Sequence, residues 1–108
     1  MEYKTKLVFH IPCATWNNGL IPVNYNAFKQ ILLEAFAEIG LTSLYTVSAK
    51  GYYKGREYDE ILLTVFSSLR GANAAVNAFR KCFKERNNLM KQEALAFERD
   101  GVLIVEAL

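Results

Sequence analysis

With 108 residues, 52% of them hydrophobic and 22% charged, the chain has material for one packed core but not two, and is too apolar to be disordered. A formal charge of +2, from 13 Lys and Arg against 11 Asp and Glu, is too mild for the concentrated basic surface that binds phosphate backbones, which argues against nucleic acid as a partner. No apolar run is long enough for a membrane span, and Met1 to Lys6 lacks the features of a signal peptide, so the expectation is one cytoplasmic domain over 1–108 with no membrane partner.

Tyr3, Thr5, Leu7, Phe9 and Ile11 alternate with Lys4, Lys6, Val8 and His10, the two-residue period of a half-buried strand, and Pro12 ends it. Cys13 to Val23 holds Trp16-Asn17-Asn18-Gly19 and Pro22, turn formers that predict a loop, after which Asn24 or Asn26 can cap a helix. Phe28, Ile31, Leu32, Ala35, Phe36 and Ile39 recur at steps of three and four, one apolar helical stripe. Gly40 suits the left-handed position that follows, with Leu41 placed to cover Phe36. Leu44 to Ser48 and Ile61 to Phe66, rich in β-branched and aromatic residues, read as an antiparallel pair flanking a glycine-bearing loop. Ser67 and Ser68 can cap a second helix, with Ala72, Ala75, Val76, Phe79, Cys82 and Phe83 inward and Arg80, Lys81, Lys84, Glu85 and Arg86 mostly outward, stopped by Asn87-Asn88. Gln92 to Glu98, the turn Asp100-Gly101 and the apolar run Val102 to Val105 make a terminal hairpin.

This order predicts an α+β, ferredoxin-like split βαβ fold, β-α-β-β-α-β plus a terminal strand, with both helices on one face of an antiparallel sheet. The other face would carry Lys4, Lys6, Val8, His10 and alternate residues of the central hairpin, too apolar for solvent alone. A homo-oligomer, dimer or trimer, is therefore expected.

Groups for catalysis are sparse. The one histidine, His10, lies three residues from Cys13, and a Cys-His pair can give an activated thiolate. Cys13 and Cys82 have no metal-ligand spacing and read as reduced thiols, Cys82 as a small hydrophobe of the second helix. Glu57, Asp59 and Glu60 cluster at the start of the third strand, with Glu57 and Asp59 on one face; the ordinary reading is a solvated strand end or pairing with Lys54 and Arg56. Arg80, Lys81, Lys84, Arg86 and Lys91 can form a basic stripe along the second helix. The sequence thus predicts no catalytic set, metal site or cofactor, and a binding domain rather than an enzyme. The stretch best suited to a ligand is Lys50, Gly51, Tyr52, Tyr53, Lys54, Gly55 and Arg56, where glycines permit close approach, cations supply charge and tyrosines offer ring faces to a small anionic ligand or nucleotide. A structural or protein-interaction domain is the alternative reading, and a small enzyme using His10, Cys13 and carboxylates the second.

Gly40-Leu41-Thr42, Thr46-Val47, Lys50-Gly51, Gly55 and Glu57-Tyr58 resemble the second strand and following loop of the PII-like signalling proteins. That resemblance implies a ferredoxin-like trimer binding small anionic ligands, typically adenine nucleotides, in clefts between subunits, with the hairpin loop closing over the site. The opening strand, the Gly19 to Val23 turn, the helix ending in Gly-Leu-Thr and the helix leading into Gln92-Glu93 resemble a bacterial family of small domains of unknown function, which implies the fold and no activity. Leu7-Val8-Phe9-His10-Ile11-Pro12 is similar to the first-strand motif of RNA-recognition modules, but Arg56 to Leu63 puts three acids where bases would stack.

Overall fold

Strand β1 (Thr5–Pro12) is the spine of the molecule, because both of its edges are paired: β5 (Arg56–Ser67) lies antiparallel along one and β6 (Ala94–Arg99) along the other. The computed structural model describes residues 3–108. β4 (Leu44–Tyr53) pairs outside β5 and β7 (Val102–Ala107) outside β6, giving the five-stranded antiparallel order β4-β5-β1-β6-β7. With α1 (Tyr25–Glu38) after the first strand and α2 (Leu69–Met90) after the central hairpin, this is the expected ferredoxin-like arrangement with an added edge strand.

The period-two reading of β1 holds on the core side, where Leu7, Phe9 and Ile11 are fully buried. Tyr3 lies before the strand and is exposed, so the pattern starts at Thr5; the reading of Met1 to Lys6 falls in part outside the described residues. Phe28, Leu32 and Phe36 of α1 and Ala72, Ala75, Val76, Phe79, Cys82 and Phe83 of α2 close over that face, as their spacing predicts. Ile39 is instead the exposed C-cap of α1. Beyond it Gly40 takes φ +83°, Leu41 N–H donates to Phe36 O at 2.8 Å and Gly40 N–H to Ala37 O at 3.1 Å, the paired bonds of a Schellman end.

Three local readings are corrected. The loop Cys13 to Val23 contains a small hairpin, β2 (Ala14–Trp16) and β3 (Leu20–Pro22), turning at Asn18-Gly19, both with positive φ. Helix α2 does not stop at Asn87-Asn88 but runs to Met90 past a distortion at Arg86, because the Asn87 side chain takes up the main chain of Gln92 instead of breaking the helix. The stretch Lys50 to Arg56 is not a loop: β4 runs through Tyr53, β5 starts at Arg56, and only Lys54-Gly55 turn, with φ of 51° and 73° as a type I′ turn requires.

That last difference shapes the molecule. Pairing of β1 with β5 ends at Pro12↔Glu60, whereas β4 and β5 stay paired out to Tyr53↔Arg56, so the last four pairs form a two-stranded ribbon beyond the five-stranded sheet. Such a ribbon is marginal alone. Here Trp16 packs edge-on against Tyr53 at 5.9 Å, and Lys54 Nζ lies 5.2 Å and 5.4 Å from the Trp16 and Tyr53 ring centres, bracing the tip with the β2–β3 hairpin.

Candidate functional site

Register decides which side chains meet on the helix-free face. Because Leu7, Phe9 and Ile11 face the helices, His10 must face away from them, opposite Leu62 of β5. Glu60 lies on the same face one diagonal step along β5, and Glu98 one diagonal step along β6, within reach of long side chains. The imidazole spans them: His10 Nδ1 is 2.8 Å from Glu60 Oε1, and Nε2 is 2.7 Å from Glu98 Oε2. Tyr58, two residues before Glu60 on the same face, donates its hydroxyl to Glu60 Oε2 at 3.2 Å. Four side chains from three strands thus form one chain, Tyr58–Glu60–His10–Glu98, in which Glu60 is 9% exposed.

Both ring nitrogens face carboxylate oxygens, an environment that only the doubly protonated imidazolium can satisfy by donating twice. Burial pushes the His10 pKa down, but the hydrogen bonds and charges of Glu60 and Glu98 outweigh it and leave it raised. Burial first, then Glu60, pushes the Tyr58 phenol up. The sign of the linkage follows: a raised histidine stabilises the fold fully below its unfolded value near 6.5, and that contribution is lost as pH rises through the folded value. The thermal-melting advantage of wild type over His10→Gln should therefore be largest in mildly acidic buffer and shrink as pH climbs above neutrality. An advantage constant with pH would contradict the bridge.

Gly51 serves the same network by lacking a side chain. It sits opposite Tyr58 without positive φ, and a Cβ there would come within 2.3 Å of Tyr58 Cζ. Its role here is room for the Tyr58 ring, which needs no positive φ. Gly51→Val is expected to swing Tyr58 outward, away from Glu60, and return its phenol toward the ordinary range near 10, which NMR of the Tyr58 ring against pH would register.

On the opposite, helix side of the same strands Cys13, Tyr25, Ser48, Lys50, Asp59 and Ile61 line a cleft of about 450 Å³, a size that suits a small molecule; Glu60 and Ala49 border it from strands whose parity sends their side chains to the helix-free face. Lys50 hydrogen-bonds Asp59 and lies 3.7 Å from Glu57, and this pairing, Asp59 first, raises its pKa. Glu57 and Asp59 thus do share a face, but their cation is Lys50 and not Lys54 or Arg56. Cys13 stands in the cleft wall, yet burial, then Asp59 and Glu60, raises its thiol, the reverse of an activated thiolate. It lies outside His10's hydrogen-bonded chain; Cys82 is buried and, like Cys13, free.

Of the seven residues singled out from sequence, Lys50 lines the cleft and Gly51 seats Tyr58; the others occupy the projecting ribbon. Tyr52 is exposed and donates to Glu57 at 3.2 Å, Tyr53 and Lys54 pack at Trp16, and Gly55 and Arg56 form the turn and the start of β5. The helix stripe is also broken up: Arg80 binds Glu106 of β7 through two nitrogens, at 2.8 Å and 2.6 Å, and Lys91 lies past the helix end with φ 52°. Sequence reasoning noticed His10 and Glu60 separately and gave Tyr58 and Glu98 no chemical role. The signal was parity, but it needs the register of β1 against both neighbours.

Among the described residues no helix is long and apolar enough to cross a membrane, and no three His, Cys, Asp or Glu side chains are grouped to hold a metal. No family model matches the chain, and no curated protein does. Solved structures do share its fold. A phage SAM lyase in its apo state superposes with a TM-score of 0.64 over 96% of this chain and 87% of the other, at 15% identity. A phage SAM lyase in complex with S-methyl-5′-thioadenosine gives 0.63 over 96% and 88%, at 13% identity. These matches correct the expectation that the chain is not an enzyme: both of these solved structures sharing its fold are of a lyase, so a scarcity of familiar catalytic groups does not mark the fold as a mere binding module.

Proposed function

We propose that the chain is an S-adenosylmethionine-cleaving enzyme that holds its substrate against Glu60 on the helix-free face of the sheet and releases S-methyl-5′-thioadenosine. The observation that carries this reading is a nearly buried glutamate, held by His10 and Tyr58 with a lone pair to spare on each oxygen, on a fold whose similar solved structures include a lyase complex with that thioadenosine.

The substrate supplies most of the chemistry. Its sulfonium is already a leaving group: when the bond from sulfur to the γ-carbon of the amino-acid tail breaks, both electrons go to sulfur and a neutral thioether departs. No water is consumed if the substrate's own α-carboxylate oxygen closes on that carbon, forming a five-membered lactone. The competing route, proton removal from the β-carbon, needs a general base. His10 has both nitrogens committed to carboxylates and the Cys13 thiol is raised, so these residues favour the intramolecular displacement.

In this reading the protein works by placement. Each Glu60 oxygen already accepts one hydrogen bond and has a lone pair left for the substrate's α-ammonium, which would turn the α-carboxylate toward the γ-carbon. Incubating the protein with S-adenosylmethionine and following thioadenosine by chromatography tests the reading, with calorimetry on S-methyl-5′-thioadenosine alongside ATP, ADP and AMP, the ligands implied by the PII resemblance. Turnover supports it. Binding of the thioadenosine or a nucleotide without turnover would reduce the chain to a ligand-binding protein, and neither turnover nor binding would sink the reading altogether.

The assembly belongs to the same proposal. Tyr45, Val47, Phe66, Leu103 and Val105 all lie on the helix-free face and remain 45–62% exposed, a large apolar area for so small a protein. A second or third copy would cover it, and the projecting ribbon would reach that neighbour. Light scattering is expected to give a dimer or trimer, and the double substitution Val47→Glu with Val105→Glu to give monomers; a monomeric wild type would contradict this.

A further inference from the structure

We infer that His10 is the positioning residue of this site: its imidazolium ties Glu60 to Glu98 across β5, β1 and β6, and loss of its proton releases Glu60 and switches the site off. The inference rests on the proposed cleavage reaction for its readout in rate, and on geometry for its cause. Glu60 and Glu98 each sit among apolar neighbours, Glu60 beside Pro12 and Ala49 and Glu98 beside Val8 and Leu103. Among the described residues no lysine or arginine lies within ion-pair distance of either carboxylate, so His10 is the cation both share.

The surroundings of His10 leave few other groups to titrate with it. Across β5 its neighbours on the face are Leu62 and, beyond it, Val47 of β4. Toward β6 and β7 they are Ala96 and Val105. Along the face lie Val8, then Lys6, whose Nζ stands 6.0 Å from the Phe66 ring, and Tyr58 reaches the chain through Glu60. The charged set facing the imidazole is thus Glu60 and Glu98. When the imidazole is neutral, one nitrogen becomes an acceptor and faces a carboxylate oxygen at under 3 Å, two lone pairs with no proton between them. One bond must break, and the carboxylate on that side can leave its position.

Glu98→Gln isolates this role, because Glu98 reaches Glu60 only through His10. Wild-type thioadenosine release is expected to fall on the alkaline side with the midpoint at which His10 titrates by NMR. Glu98→Gln should move both midpoints to lower pH together, and His10→Gln should remove the limb and lower the neutral-pH rate about 10- to 100-fold, as lost second partners of a functional group do. An alkaline limb that survives His10→Gln, or a His10 titration unmoved by Glu98→Gln, would overturn the inference. If wild type shows no turnover at any pH, the cleavage reading fails by itself. The bridge is then decided by the NMR titration and by the Glu60 carboxyl carbon shift, which must respond to Glu98→Gln if His10 couples the two.

Discussion

Glu60→Gln is expected to lower S-methyl-5′-thioadenosine release by about 100-fold, the scale of a misplaced reacting group, while leaving affinity for S-methyl-5′-thioadenosine itself nearly unchanged. The asymmetry comes from what each molecule carries. The thioadenosine has no amino-acid tail, so an acidic residue that holds the tail's ammonium contributes nothing to its binding. A carboxylate aimed at the sulfonium instead would work against the reaction, because the positive charge on sulfur disappears as the bond breaks and the anion would favour the ground state. If Glu60 held the sulfonium, its removal would raise the rate or weaken substrate binding alone. Glutamine keeps the size and one acceptor for Tyr58, and melting temperature beside wild type reads the lost charge opposite His10 separately from the lost tail contact. The check is kcat and KM for S-adenosylmethionine beside a calorimetric titration of the product; equal loss of affinity for both molecules would show that Glu60 only shapes the binding surface.

The fold was legible because its signals are local. Leu7, Phe9 and Ile11 alternate, Phe28, Leu32 and Phe36 step by three and four, and the Gly40-Leu41 ending forms two hydrogen bonds that those few residues specify. The site was not, because its partners come from residues 10, 58, 60 and 98, which only the antiparallel register brings together. A chemical reading along the chain paired His10 with the nearby Cys13, whereas β1 sends His10 to Glu60 and Glu98. Glycines and lysines around Gly51 and Gly55 read as a loop for the same reason: strand pairing that continues past the core is invisible until the partner strand is placed. Asn18-Gly19 carried a hairpin signal, but Pro12 and Pro22 beside such short strands disguised it.

Phe9→Ala is expected to cost about 3–5 kcal/mol of folding stability, against a total of about 5–15 kcal/mol for a domain, and urea denaturation would read it as a large fall in midpoint. The ring is fully buried and lies 5.2 Å from Phe36 of α1, 4.7 Å from Phe79 of α2 and 6.1 Å from Phe97 of β6, so no single neighbour can move into the space it leaves. Phe66→Ala, on the opposite face and 45% exposed, removes the same side chain and should lower the urea midpoint of the isolated subunit clearly less than Phe9→Ala does, because nearly half of that ring is never withdrawn from water. Phe9 is also bonded directly to His10, and the strand that buries one presents the other. Loosening β1 at Phe9 should therefore broaden the His10 resonances below the denaturation midpoint, whereas a His10 signal as sharp as in wild type would mean that the site is held by its hydrogen bonds alone and owes nothing to the aromatic core beneath it.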